Sequence, residues 1–124
     1  MEICRSHNCS QCCLDTEMPL TYKDITRIEE VGIERTFFVI EENGWLQLRN
    51  SGGKCIFLKK GLCSIYRQRP QGCRLYPLIY DEETTSAVLD DDCLYANEIN
   101  ISGSVYKRLD RFIQQLKYER KKRI

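Results

Sequence analysis

The chain has 124 residues, enough for one domain with a modest core and too few for two independent ones, so residues 1–124 are predicted to form a single unit. Hydrophobic residues make up 42% of it, and 19 basic residues nearly balance 18 acidic ones for a net charge of +1. No global electrostatic field therefore points to nucleic acid or a membrane surface, and any partner must be recognised by a local site.

The chain begins with a cysteine-dense segment that has neither a helical nor a strand period. We expect residues 1–15 to form an irregular loop organised by what its sulfur atoms bind. A helix is predicted next, because Thr21 suits the N-cap and Asp24 the third helical position. Gly32 suits the end of that helix, and Ile25 is expected to face the core.

A β-hairpin is predicted after this helix. Residues 36–40 and 45–48 are rich in β-branched and aromatic side chains, and they flank Asn43 and Gly44. An Asn-Gly pair between two such runs is typical of a tight hairpin turn. The sequence therefore predicts two antiparallel strands.

The middle of the chain is predicted to be irregular with short elements. Residues 55–58 could form a third strand that ends at the turn containing Gly61. Residues 63–69 are expected to form one or two helical turns that stop before Pro70, because proline disfavours helix in the residue preceding it.

The last third predicts a second hairpin and a long helix. Residues 78–80 and 87–89 are strand-like and are separated by a polar segment. From residue 104 to about residue 121 the apolar side chains recur at helical spacing, namely Val105, Leu109, Phe112, Ile113 and Leu116. The predicted fold class is a small α+β domain with short antiparallel hairpins, a few helices and irregular cysteine loops.

Cysteine is far more frequent than in an ordinary protein of this size. The eight cysteines are Cys4, Cys9, Cys12, Cys13, Cys55, Cys63, Cys73 and Cys93. Disulfides, thiol redox chemistry or metal ligation could explain them. The sequence has an acidic residue, Glu2, directly after Met1 and reaches Cys4 before any apolar run, unlike an export signal, and no stretch is long and apolar enough for a membrane span. We therefore expect a cytoplasmic location, where metal ligation is favoured over disulfides.

The spacing of the cysteines indicates ligation without choosing the metal. A two-residue gap between Cys9 and Cys12 lets both sulfurs face one ion, whereas the neighbours Cys12 and Cys13 point in different directions. Either two sites share this segment, or one centre leaves some cysteines structural. His7 could replace one thiolate but is more often a bystander. With eight cysteines and one histidine, a sulfur-dominated site suits zinc or an iron–sulfur cluster and argues against magnesium or calcium.

A centre with four thiolates needs nearby positive charge. Such a site carries a formal charge of about −2, which donors or cations must offset when it is buried. Arg67, Arg69 and Arg74 bracket Cys73, and we expect at least one of them, with Arg69 and Arg74 as candidates, to contact the centre. The alternative is that they are solvated surface arginines.

Two further charged runs favour structural roles. The acidic residues 90–92 are typical of a turn or a helix cap. The basic residues at positions 117 and 120–123 suit the C-terminus of a helix, and nucleic-acid binding is not expected because no recognised reading motif is present.

The cysteine blocks resemble a known family, the CxxCxxCC or YkgJ-type cysteine-cluster proteins, which are described as zinc- or iron-chelating domains. The resemblance covers Cys9 to Cys13, the following helix, and above all residues 55–58 and 63–77, with the pattern Cys-x-Ile-Tyr-x-x-Arg-Pro-x-x-Cys-Arg. Cys4 departs from the family, because its gap to Cys9 is four residues where two is usual. The resemblance implies a metal or iron–sulfur site and a relation to the cysteine-rich part of flagellin lysine N-methylases, for which a [4Fe–4S] centre is implied.

Three classes of function follow from these features. The first is an iron–sulfur protein that transfers electrons or works with a protein partner, and we favour it. The second is a zinc-stabilised interaction module. The third is a methyl-transfer component, which rests on analogy with the lysine methylases alone. No glycine-rich cofactor loop, Ser-His-Asp set or pair of carboxylates supports an autonomous hydrolase, and whether the chain is an enzyme stays open.

Overall fold

The computed structural model describes residues 16–76, 78–81, 83–90 and 102–124, so the predicted loop over residues 1–15 lies outside the described part. Helices and short antiparallel strand pairs form a small α+β fold, which confirms the predicted class. The elements in chain order are α1 (Tyr22–Glu29), α2 (Arg35–Phe38), β1 (Val39–Glu42), β2 (Trp45–Leu48), β3 (Asn50–Ser51), β4 (Lys54–Cys55), β5 (Leu58–Lys59), β6 (Leu62–Cys63), α3 (Gln71–Leu75), β7 (Leu78–Asp81), β8 (Ser86–Leu89) and α4 (Gly103–Arg123).

Helix α1 begins with the predicted capping box. The Thr21 Oγ1 accepts a hydrogen bond from the Asp24 N–H at 3.2 Å, and the Asp24 Oδ2 accepts one from the Thr21 N–H at 3.1 Å. Ile25 and Ile28 are fully buried on the inner face of the helix. Gly32 follows the end of the helix at a φ of +89°, a conformation that glycine adopts without strain.

The structure confirms the second strand and the turn of the first predicted hairpin. Strand β2 pairs antiparallel with β1, with Glu42 opposite Trp45 and Val39 opposite Leu48. Asn43 and Gly44 link the strands with φ values of 53° and 83°. Two successive positive φ values are typical of the turn that Asn-Gly favours, so the local sequence alone specifies this connection.

The prediction of a strand over residues 36–40 is wrong in its first half, because residues 35–38 form helix α2. The helical turn places Phe38 in the core at 0% exposure, with its ring centroid 5.6 Å from that of Phe57. Phe37 is left 49% exposed. Packing of Phe38 on Phe57 has overridden the local strand propensity, which is a weak preference.

The predicted third strand over residues 55–58 is also wrong as a continuous element. Strand β4 pairs with β3, strand β5 pairs with β6, and each pair is only two residues long. Between them Ile56 and Phe57 leave the ladder, and Phe57 enters the core at 3% exposure. Both tight turns contain residues with positive φ, namely Gly52, Gly53, Lys60 and Gly61.

The helical segment predicted before Pro70 is shorter than expected, and a further helix follows it. Only a 3₁₀ turn over Tyr66–Gln68 forms there. Helix α3 then starts directly after Pro70, an element that the sequence had not indicated. Gly72 in α3 allows close packing, since a Cβ atom at that position would collide with the Met18 Sδ.

Two apolar clusters form the core. The first joins α1, α2 and the segment that carries the small hairpins; its buried members are Leu20, Ile25, Ile28, Phe38, Leu48, Cys55, Phe57 and Ile65. The second joins α3, β7 and α4; its buried members are Leu75, Leu78, Leu109, Phe112 and Leu116. The hairpin of β7 and β8 and the long helix α4 confirm the two elements predicted for the end of the chain.

The second cluster predicts a large effect of truncating its central ring. Phe112 is 6% exposed, so Phe112→Ala is expected to reduce the free energy of unfolding by about 3–5 kcal/mol through lost burial and a residual cavity. Urea denaturation measures this. Tyr106→Ala on the same helix is the matched control, because Tyr106 is 43% exposed and should cost less than about 1 kcal/mol. If the two variants lost the same free energy of unfolding, the apolar residues of α4 would not be packed in the core as described.

No helix within the described residues combines the length and the apolar character that crossing a membrane requires.

Candidate metal centre

The structure describes three of the eight predicted ligands. Cys55 lies in strand β4, Cys63 in strand β6 and Cys73 in helix α3. Five predicted ligands and the predicted bystander histidine lie outside the described residues; they are Cys4, Cys9, Cys12, Cys13, Cys93 and His7.

Tight turns position Cys55 and Cys63. Cys55 pairs with Asn50 across the two-residue ladder of β3 and β4, and Cys63 pairs with Leu58 across β5 and β6. A backbone hydrogen bond fixes the residue that follows each cysteine. The Ile56 N–H donates to the Arg49 carbonyl at 2.9 Å, and the Ser64 N–H donates to the Phe57 carbonyl at 2.7 Å. The sequence spacing of the two cysteines thus reflects two consecutive hairpins.

All three described cysteines meet the same apolar cluster. Cys55 is one of its buried members at 6% exposure, and Cys63 and Cys73 are half-buried and pack against it. Three elements separated along the chain therefore bring their cysteines to one core. Within residues 16–76, 78–81, 83–90 and 102–124, no three histidine, cysteine or carboxylate side chains lie close enough together to hold a metal ion. A complete site would need ligands from beyond these ranges.

Thr16, the first described residue, is hydrogen-bonded to the ladder partner of Cys55. Thr16, which follows the N-terminal cysteine segment, donates its N–H to the Asn50 Oδ1 at 3.2 Å. In return the Asn50 Nδ2 donates to the Thr16 carbonyl at 2.8 Å. Asn50 is the ladder partner of Cys55. The point where the N-terminal cysteine segment joins the described chain is therefore anchored opposite Cys55.

The three arginines around Cys73 form a connected structure. The Arg74 Nε donates to the Arg69 carbonyl at 3.2 Å, and its Nη2 donates to the Arg67 carbonyl at 2.9 Å. The Arg69 guanidinium lies 3.9 Å from the centroid of the Tyr66 ring. Arg74 thus ties helix α3 back onto the segment between Cys63 and Cys73.

A buried carboxylate, which the sequence did not mark as part of the site, organises this cluster. Asp24 is 1% exposed; its Oδ1 accepts from the Arg27 Nη2 at 2.7 Å and from the Gln71 N–H at 3.0 Å. The Arg27 Nη2 also reaches the Arg69 carbonyl at 3.3 Å. The spacing of Asp24 and Arg27 on one helix could have suggested their ion pair, but the contact with α3 has no local signal.

The charges of the described residues in this cluster shift the pKa of Arg74. Burial lowers the pKa of Arg74, the charges of Arg27 and Arg69 lower it further, and the Asp24 carboxylate raises it. The Nε atoms of Arg27 and Arg69 are buried and have no hydrogen-bond partner in the described part of the chain. Unpaired buried donors are costly, so the cluster favours a nearby anion.

The basic end of the chain has a structural role. The Arg120 Nε donates to the Asn43 carbonyl and the Arg123 Nε to the Gly44 carbonyl, both at 2.8 Å. The Arg120 guanidinium also lies 4.7 Å from the centre of the Trp45 ring. These contacts hold the last turn of α4 against the β1–β2 turn and agree with the prediction that these cations suit a helix terminus.

Comparison with known proteins identifies a family and one distant relative. Residues 3–94 match the CxxCxxCC family, described as "Putative zinc- or iron-chelating domain". An uncharacterized protein of Methanocaldococcus jannaschii is 27% identical over 131 residues, covering 92% of this chain and 72% of the relative. No solved structure matches the chain. The family match confirms the resemblance that the cysteine blocks indicated.

Proposed function

Since the chain belongs to the CxxCxxCC family of zinc- or iron-chelating domains, we propose that its metal is iron, in a [4Fe–4S] cluster that exchanges electrons with a protein partner. The proposed ligands are thiolates drawn from the eight cysteines, with Cys55, Cys63 and Cys73 supplied by the described part. Metal binding as such follows from the family, and the identity of the centre and its role are the proposal.

The observation that carries the proposal is the convergence of cysteines on one core. Cys55, Cys63 and Cys73 come from separate elements and pack against the same apolar cluster, and Thr16, the residue that follows the N-terminal cysteine segment in the sequence, is hydrogen-bonded to Asn50, the ladder partner of Cys55. A sulfur-only donor set with eight cysteines and one histidine suits an iron–sulfur cluster, which is held by thiolates.

The charge around Cys73 fits a cluster with four thiolate ligands. Such a [4Fe–4S]²⁺ centre carries a formal charge of about −2, and its potential depends on nearby charges and hydrogen bonds. Arg27, Arg69 and Arg74 lie in one hydrogen-bonded network, in which Asp24 pairs with Arg27. The buried Nε of Arg69 is suited to donate to a sulfur or a thiolate, and we propose that Arg69 and Arg74 stabilise the bound cluster.

The exposure of the cysteines supports exchange with a partner. Cys63 and Cys73 are half-buried, so a centre that they ligate would lie near the protein surface. Solvent exposure is one of the factors that set the potential of such a centre. Leu62, next to Cys63, is 45% exposed and offers an apolar contact for a docking protein beside the centre.

Purification without oxygen tests the proposal. We expect a brown protein with iron and inorganic sulfide bound and broad absorption near about 400 nm, which bleaches on reduction and yields an electron paramagnetic resonance signal. Iron and zinc are measured per chain in the same sample. A colourless protein with stoichiometric zinc would contradict the proposal and would favour a zinc-stabilised interaction module.

A further inference from the structure

A cavity of about 360 Å³ lies between helices α1 and α4, and both Asp24 and its capping partner Thr21 line it. Its wall is formed by helices α1, α3 and α4 and by the N-cap of α1. The lining residues that carry charge are Lys23, Asp24, Arg27, Arg108 and Arg111, and Phe112 adds an aromatic ring.

The lining has four cations and one carboxylate, and that carboxylate is already engaged. The two oxygens of Asp24 accept three hydrogen bonds, from Arg27, Gln71 and Thr21. In the described ranges of the chain, Lys23, Arg108 and Arg111 form no ion pair. Like charges that share a cavity repel one another, and this repulsion is relieved when a multiply charged anion binds between them.

Arg27 supplies a second indication of an anion. Its Nη2 is used by Asp24 and by the Arg69 carbonyl, but its Nε is buried and has no acceptor within the described residues. A buried donor without a partner costs free energy that a bound acceptor would recover. Arg27 lines the cavity, so an anion bound there would lie near the charge of Arg27.

We propose that this cavity binds a small phosphate monoester. Arginine forks bind phosphate oxygens in pairs, and a tetrahedral phosphate offers oxygens to cations on both helices at once, whereas a planar carboxylate offers two oxygens in one plane. The phosphate lies between the cations of α1 and those of α4. The organic group lies beside Phe112, a core ring that lines the same cavity with its small exposed part. The site shares Arg27 with the arginine network beside Cys73, but no cysteine lines it and it does not depend on the identity of the metal.

Phenyl phosphate is the probe that matches this chemistry, because it joins a phosphate dianion to one ring. Calorimetric titration of the metal-loaded protein at low ionic strength is expected to give a Kd of about 1 mM or tighter. Arg108→Gln combined with Arg111→Gln should weaken binding by about tenfold or more, since two charge-assisted contacts are lost. Both side chains are exposed, so the melting temperature should stay close to that of the unmodified protein.

The control pair is Lys107→Gln combined with Lys121→Gln, which removes the same charge from exposed positions of α4 outside the cavity. It should change the Kd by less than about twofold, since neither lysine lines the cavity and neither can contact the phosphate directly. Phthalate, a dianion with one ring and two carboxylates, should bind more weakly than phenyl phosphate. The proposal is overturned if phenyl phosphate does not bind, if the control pair weakens binding as much as the arginine pair, or if phthalate binds as tightly.

Discussion

Replacing Cys63 or Cys73 by serine is expected to remove at least half of the bound metal. A serine hydroxyl is a poor ligand for the soft metal centres that thiolates hold, and four thiolates complete one site. Iron, zinc and sulfide per chain, measured on anaerobically purified variants together with the absorption spectrum, give the result directly. Cys55→Ser should behave in the same way, although its burial adds a loss of stability that the other two positions should show less.

The amount of metal that remains distinguishes one centre from two. If a single cluster uses these cysteines, each replacement should remove or convert the whole chromophore. If there are two four-thiolate sites, each replacement should leave about half of the metal, because the other site keeps its ligands. Cys12→Ser and Cys13→Ser are expected to differ from each other, since neighbouring side chains point in different directions.

Cys4→Ser is the control with the same chemical change. Cys4 departs from the family spacing, so its replacement should retain the most metal of the eight variants. Full metal and an unchanged spectrum in the Cys12, Cys63 and Cys73 variants would contradict the metal centre. Disulfide or thiol-exchange chemistry would then become the leading account of the cysteines.

The elements that sequence predicted well depend on neighbours in the chain. The capping box of Thr21 and Asp24 is closed within three residues, and the Asn43-Gly44 turn is specified by two. Helix α4 is marked by a periodic apolar stripe in which Leu109 and Phe112 are buried as predicted. The capping box and the turn are specified by neighbouring residues, and the helix by apolar residues that repeat at helical spacing. Local sequence preference and the observed structure therefore agree in all three cases.

The elements that sequence missed depend on distant contacts. Helix α2 forms where β-branched and aromatic residues favour strand, because Phe38 packs on Phe57, nineteen residues away. Helix α3 contains Gly72, a poor helix former. The space that a side chain at position 72 would fill is occupied by Met18 and Phe112. The first N–H of α3, from Gln71, is satisfied by the Asp24 carboxylate across 47 residues. No local pattern could reveal these partners.

Sequence proposes the ligands of the candidate site and indicates its surroundings only in part. Cysteine content and spacing predict eight candidate ligands, and the arginines beside Cys73 are candidates to offset the charge of a centre. The role of Asp24 in placing Arg27 and α3 appears only in the fold. Helix α1 supplies that carboxylate from outside the segment between Cys55 and Cys73, which is why sequence spacing could not show it.

Asp24→Ala is expected to reduce the free energy of unfolding by about 2–4 kcal/mol, because it removes a buried carboxylate that pairs with the half-buried Arg27 and accepts two backbone N–H groups. The change would strip Arg27 of its 2.7 Å contact and leave the Thr21 and Gln71 N–H groups without their acceptor. Asp24→Asn keeps the shape and one acceptor oxygen, so its loss should be smaller, about 1–3 kcal/mol. Urea denaturation of the two variants measures both values.

The matched control is Glu29→Ala, which breaks a second ion pair of α1, the one with Arg35. Glu29 and Arg35 are 3.3 Å apart with side chains 37% and 50% exposed, so this loss should stay below about 1 kcal/mol. Asp24 also holds the start of the helix that carries Cys73, and Asp24→Ala should therefore weaken metal retention in a chelator challenge, whereas Glu29→Ala should not. If the two variants lost equal stability and kept equal metal, the Asp24 network would have no part in supporting the centre, and α3 would have to be held by the packing of Gly72 and Leu75 alone.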